Sequence, residues 1–306
     1  MRTLLATDGS SYATTALIAA SRMLTHVDNK FDVTCVIPDF VPPSRLHARS
    51  PGLDQWFREQ YDEEMKRKTH RVLKNAVRTL GAAGLESHGF TDTGSPGDVL
   101  VRLADNYDAI VVGAQSQAER PSPGLGPVAS RIVEHVSGIV MVGRPLLNEK
   151  SFRILIGVDG SASSANAVEA LGAGFRLREA EITVMHVVEK PWMRLGLEEE
   201  DHAEFELPYR TSDRGETERL FGKELWTEAE QIVEEARGRL VRGGCSIECH
   251  IVEGNPANEL LSQAELGEYD LAVSGATGAS DLKHTLLGSV SFKLASYAPC
   301  SVAVIR

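Results

Sequence analysis

An unbroken apolar run, Leu271-Ala272-Val273, closes on small residues and predicts a buried parallel strand. Downstream, Val290, Leu294 and Tyr297 recur at spacings of four and three and predict a helix. The same alternation runs through the chain. Ala13, Leu17, Ala20 and Leu24 make one helical stripe, and Tyr61 to Leu80 reads as the longest helix. Pro96 and Pro256 sit where helices begin, at a position that tolerates a missing N–H. Taken in order, the pattern is strand, helix, strand, long helical region, strand, helix, strand, helix, strand. That order then occurs a second time. Short apolar strands alternating with amphipathic helices predict an α/β fold, a parallel sheet covered by helices on both faces.

The two halves match segment by segment. Thr3-Leu-Leu-Ala-Thr-Asp-Gly-Ser10 corresponds to Ile154-Leu-Ile-Gly-Val-Asp-Gly-Ser161. Gly94-Ser-Pro-Gly-Asp-Val-Leu100 corresponds to Gly254-Asn-Pro-Ala-Asn-Glu-Leu260, and Asp108-Ala-Ile-Val-Val-Gly113 to Asp270-Leu-Ala-Val-Ser-Gly275. A seam near Arg144-Pro-Leu-Leu-Asn-Glu-Lys-Ser151 predicts two tandem domains, 1–148 and 149–306.

Between the strand ending at Gly275 and the helix at Ser289, glycines fall as Gly275-x2-Gly278-x9-Gly288-Ser289. Glycines let backbone approach a bulky anion, and a helix start offers unpaired N–H groups at the positive end of a dipole. A tight strand-to-helix connection is the alternative reading of the glycines alone. The chain holds no Gly-x4-Gly-Lys-Ser/Thr P-loop and no Gly-x-Gly-x-x-Gly after a first strand. Asp8 and Asp159 end the first strand of each copy, where open α/β sheets bind ligands. Asp-Gly-Ser equally suits a turn or helix cap, and both readings stand at this point.

This spacing, with the duplicated pattern around it, resembles the universal stress protein family, over nearly the whole chain and as two copies. The resemblance implies five parallel strands in the order 3-2-1-4-5 in each copy and ATP binding in the second. By that resemblance Gly157 and Val187 line the base pocket, and Asp159 faces the adenine or ribose end. Ser274, Gly275 and Gly278 follow the ribose and phosphates, and Gly288, Ser289, Val290 and Ser291 close the phosphate end. Magnesium or manganese would bridge the phosphates. Single-copy members pair through their last strands, so Val140–Val142 and Val302–Val304 are expected to join the copies as an internal pseudo-dimer. A homodimer of the whole chain stays open, as does the identity of a protein partner.

The first copy departs from the motif. Gly113 is kept, but Ser116 stands where the second glycine is expected, and Gly126 is followed by Pro127. Proline removes a backbone donor and a hydroxyl, and Ala129 replaces the counterpart of Ser291. The loop 118–126 carries two prolines and Glu119. Asp8 and Val36 persist, which leaves an altered nucleotide pocket open. The expectation is a domain that serves mainly as a packing partner.

Composition narrows the function classes. The 306 residues carry a net charge of −11, against nonspecific adhesion to nucleic acid or anionic membrane. No apolar run reaches the ~18 residues of a membrane span, and a cytoplasmic protein is expected. Four cysteines fit a reducing compartment. Cys245, Cys249 and His250 invite a zinc reading, but four strand residues span roughly 13 Å while each Zn–S bond is about 2.3 Å. Buried, inert thiols are expected instead. Glu198-Glu-Glu-Asp201, near Trp192 and Tyr209, reads as a solvated surface, with a flap or contact surface as the alternative. Lys283 and His284 fall in the glycine loop and read as solvated side chains. No Ser–His–Asp set, paired carboxylates or metal ligands emerge. The expected role is a cytoplasmic stress-response or regulatory protein that binds ATP in its second domain, without efficient catalysis. The alternatives are a nucleotide-independent interaction protein and a slow ATP-hydrolysing enzyme. A pyrophosphatase-type loop, Ser-Gly-Gly-x-Asp-Ser, does not occur after either first strand.

Overall fold

The computed structural model describes residues 1–25, 27–40, 53–116, 124–146, 152–178, 180–189, 214–241, 244–278 and 287–306. The chain divides into two compact units, Met1–Pro145 and Leu146–Arg306. In the first, β1 (Arg2–Ala6), α1 (Ser11–Met23), β2 (Lys30–Ile37) and α2 (Leu53–Ala82) lead to β3 (Ser87–Thr93) and α3 (Pro96–Ala104). Then come β4 (Ala109–Gly113), α4 (Pro127–His135) and β5 (Ile139–Gly143). The second unit repeats the order with β6 (Arg153–Gly157), α5 (Ala162–Gly174), β7 (Glu181–Val188), α6 (Arg214–Leu240) and β8 (Ser246–Glu253). It finishes with α7 (Pro256–Leu266), β9 (Leu271–Gly275), α8 (Ser289–Tyr297) and β10 (Ser301–Ile305).

Each unit is an all-parallel five-stranded sheet. The first has the order β3-β2-β1-β4-β5, with Leu5 beside Val33 on one side and Val111 on the other. The second has β8-β7-β6-β9-β10, with Ile156 between Val184 and Val273. Helices α1 and α2 pack together, as do α3 and α4; α5 packs on α6, and α7 on α8. The sheets are thereby covered on both faces. Every residue of β9 and β10 is buried, as the continuous apolar runs predict.

Three expectations need correction. Helix α2 begins at Leu53 rather than Tyr61. Its first turns carry Trp56 and Phe57 at helical spacing before Tyr61, but both are exposed, and polar side chains pair one turn apart along the helix. Gln55 Nε2 donates to Glu59 at 3.0 Å, and farther along Arg67 donates to Glu63 at 2.9 Å. In α8 the buried stripe is Ser291, Leu294 and Ala295, while Tyr297 is exposed. The stripe sits one position round because Ser291 is accommodated in the core by a hydrogen bond described below. The thiols of Cys245 and Cys249 are not buried: Cys249, on the edge strand β8, is exposed, and Cys245, just before that strand, is only half-covered. Partial burial still pushes both thiols up in pKa, while Cys35 and Cys300 are the buried pair. The acidic segment 198–201, with Trp192 and Tyr209, lies outside the described residues. No described helix is long and apolar enough to cross a membrane.

Candidate functional site

In the second unit, β6, β7 and β9 end together at the C-terminal edge of the sheet, and the residues singled out by spacing are carried there. After β6 the chain turns sharply: Gly160 takes φ +76°, a left-handed conformation that favours glycine. Asp159 Oδ1 accepts from the Ser161 N–H at 3.0 Å, and Ser161 caps α5 by accepting from Ser164 N at 3.1 Å. The helix cap is therefore the serine. Asp159 closes the turn with one oxygen, and its other oxygen, Oδ2, lies 3.0 Å from where a Cβ on Gly278 would stand. Asp159 and Gly278 thus meet from separate loops, and a side chain at 278 would press on the carboxylate.

Gly275 is under a different constraint. A Cβ there would come within 2.6 Å of the Ser163 carbonyl carbon and Oγ, because the end of β9 lies against the first turn of α5. Ser163 Oγ also accepts from Thr277 N at 3.3 Å. Nothing in the glycine spacing marks Ser163; the visible sign is only its place in Asp159-Gly-Ser-Ala-Ser163. Gly157 approaches Leu260, whose Cδ1 would lie 2.9 Å from an added Cβ. Val187 is buried near the end of β7, and the His186 ring bonds the Val158 carbonyl at 2.8 Å.

The helix start completes the edge. Gly288 N donates to Ala276 O at 2.6 Å, and the first helical bond of α8 runs from Phe292 N to Gly288 O at 3.0 Å. The N–H groups of Ser289, Val290 and Ser291 precede that bond and have no intrahelical acceptor. Ser291 Oγ donates to Gly275 O at 2.6 Å, which ties α8 to β9. Its hydroxyl proton is committed, so what Ser291 offers an anion is its backbone N–H. Ser274 is buried, and its hydroxyl meets no partner among the described residues. Such an orphaned group is costly unless a ligand or water satisfies it. Asp281, Lys283 and His284 lie outside the described residues.

The first unit repeats the turn. Asp8 Oδ1 accepts from Ser10 N at 2.9 Å, Ser10 caps Ala13 N at 3.1 Å, and Gly9 takes φ +79°. Gly126 N donates to Ala114 O at 2.8 Å, as Gly288 does to Ala276. Helix α4 nevertheless starts at Pro127, which has no N–H to present. This edge is open: a cavity of about 500 Å³ lies there, with Asp8, Thr34, Val36, Gly113 and Ala129 among its walls. Reading this copy mainly as a packing partner did not anticipate such a space.

Sequence and fold comparisons agree with this architecture. The pattern described as the Universal stress protein family matches residues 1–144 and again 151–306. Universal stress protein YxiE of Bacillus subtilis is 28% identical over 158 residues, covering 50% of this chain and 98% of its own length. Universal stress protein Rv2623 of Mycobacterium tuberculosis is 23% identical over 279 residues, 87% of each chain. Among solved structures, a universal stress protein from Archaeoglobus fulgidus superposes with a TM-score of 0.61 at 18% identity, over 100% of this chain and 96% of its own. With the family pattern matched twice and the duplicated fold on the page, the chain belongs to the universal stress protein family as two copies in tandem.

Proposed function

We propose that the C-terminal domain binds ATP and that the protein acts as a nucleotide-responsive regulatory module of the stress response. The observation that carries this reading is the convergence of Asp159, Gly275, Gly278 and the start of α8 on one sheet edge. The phosphates would lie against the N–H groups of Ser289, Val290 and Ser291, where the helix dipole favours negative charge. Gly275 and Gly278 would let the backbone run close beside them, and Ser274 offers a hydroxyl with no partner among the described residues. Asp159 would accept from the ribose or adenine, and Gly157 and Val187 would floor the base. Magnesium or manganese would travel with the phosphates, whose oxygens are the hard ligands such ions take. Mass spectrometry of small molecules released from the purified protein tests the reading. Adenine nucleotide in the extract is expected, and its absence together with no calorimetric binding of added ATP would reject it.

Rapid hydrolysis is not expected. It requires a positioned water, a base and charge neutralisation of the leaving group. Between Gly275 and Ser291 the sequence holds one carboxylate, Asp281, and no arginine. Turnover far below the common enzyme range of about 1–1,000 per second is expected in a radiolabelled ATP assay with magnesium or manganese. Turnover within that range, lost in Asp159→Ala, would make the protein an enzyme.

In the same reading the N-terminal copy stands in for the second protomer of single-copy relatives, an internal pseudo-dimer. After cleavage near Glu149 the halves are expected to co-elute in dilute gel filtration; halves that part readily would contradict the pairing.

A further inference from the structure

The cavity in the first unit shares its position with the C-terminal site but not its chemistry. Six of its walls, Ala6, Val36, Met65, Val72, Leu100 and Val112, present carbon. At the start of α4 two exchanges relative to α8 remove polarity. Pro127 replaces a donor N–H and hydroxyl, and Ala129 replaces Ser291. Ser116 puts a side chain where the second copy has Gly278 against its aspartate. Among the described residues, two ionised side chains, Asp8 and Lys68, line the cavity, one of each sign and both exposed. The described part of the rim therefore offers no net positive charge to a triphosphate, and the N-terminus of α4 has lost the N–H of its first residue.

Inside, a polar group is left over. Thr34 lines the cavity and is 0% exposed, and its hydroxyl meets no partner among the described residues. Its neighbour Cys35 is buried and hydrogen-bonded to Thr69, and burial pushes the thiol up, so it stays protonated and neutral. A volume of about 500 Å³ falls within the range of small-molecule pockets, about 300–1,000 Å³. An apolar wall with one unsatisfied buried hydroxyl is the arrangement that selects an apolar molecule with a matching polar atom.

We propose that the N-terminal domain holds a second ligand site, for a small uncharged molecule that is mostly hydrocarbon or aromatic and carries a hydrogen-bonding group that meets Thr34. ATP is not expected to compete for it. This site stands independently of ATP binding in the C-terminal domain.

The test is a fluorescence titration of the full chain with N-phenylnaphthylamine, a neutral aromatic probe with one N–H. Saturable binding is expected, unmoved by millimolar ATP in the wild-type chain and in Gly288→Val. Val128→Trp, which fills the mouth from α4, should weaken the probe about tenfold or more. Thr34→Val keeps the shape, removes the hydroxyl and should weaken it about fivefold. Circular dichroism checks that the variants fold; if Val128→Trp does not, Met65→Trp fills the same space from α2. No saturable binding, displacement by ATP in either background, or equal affinity in the filled variant would overturn the site. Equal affinity in Thr34→Val would overturn the role of its hydroxyl.

Discussion

Replacing Gly288 by valine should abolish ATP binding while sparing the fold. Gly288 takes φ −74° and ψ 153°, extended backbone that a β-branched residue adopts readily. Its N–H stays on Ala276 O, so the helix start is still anchored. What changes is the surface over which phosphate oxygens would reach the N–H groups of Ser289 to Ser291. Charge-assisted bonds of that kind are short and need close approach. A valine side chain there should cost at least about 3 kcal/mol of binding, roughly a hundredfold or more in affinity. The matching change in the first copy, Gly126→Val, starts from nearly the same backbone, φ −70° and ψ 164°. It should leave ATP affinity unchanged, because the helix it precedes begins with Pro127. Titration calorimetry on both variants measures the difference. Equal losses would show that binding is not confined to the second domain.

Gly275→Val should fail in the opposite way, by unfolding the domain. A Cβ at 275 would lie 2.6 Å from the Ser163 carbonyl carbon and 2.7 Å from its oxygen. These are backbone atoms of the first turn of α5, and no rotamer change relieves the contact. Forced shifts in a packed region cost about 1–3 kcal/mol and occasionally more. With the backbone of Ser163 in the way and a branched side chain, the upper end of that range is expected. For a domain of this size each kcal/mol lowers the melting temperature by roughly 2–4 °C, so a drop near 10 °C is the result to look for by circular dichroism. Gly278→Ala is the informative contrast. Among the described residues its Cβ would meet only Asp159 Oδ2, at 3.0 Å, a side-chain atom that can turn aside. Stability should hardly move there. A Gly275→Val protein that melts like wild type would mean that β9 and α5 do not approach as closely as described.

Much of this was legible in the chain because the strands announce themselves. Leu271-Ala272-Val273 and its counterpart Ala109-Ile110-Val111 are buried on both sides, so each reads as one apolar run. The glycine spacing located the loop ends, and at Gly275 it answers to a close approach of backbone that leaves no room for a side chain. Other features depend on what lies opposite in space, which spacing does not encode. The start of α2 leaves Trp56 and Phe57 exposed and pairs Gln55 with Glu59, and whether an apolar residue there meets a core is not written in its spacing. Ser291 looked like a ligand donor, yet its proton serves the Gly275 carbonyl. Cys249 falls on an edge strand, and edge position follows from strand order rather than from local sequence. The cavity of the first copy was hidden for the same reason. Losing a phosphate motif at Pro127 and Ala129 says what cannot bind, and not whether the space behind it has been filled.

Native mass spectrometry of the full chain with ATP tests the central assignment most directly, because it counts nucleotides per chain. One ATP per chain is expected, retained in Gly126→Val and lost in Gly288→Val. Two nucleotides per chain, or a single one that survives Gly288→Val, would contradict binding through the C-terminal domain alone.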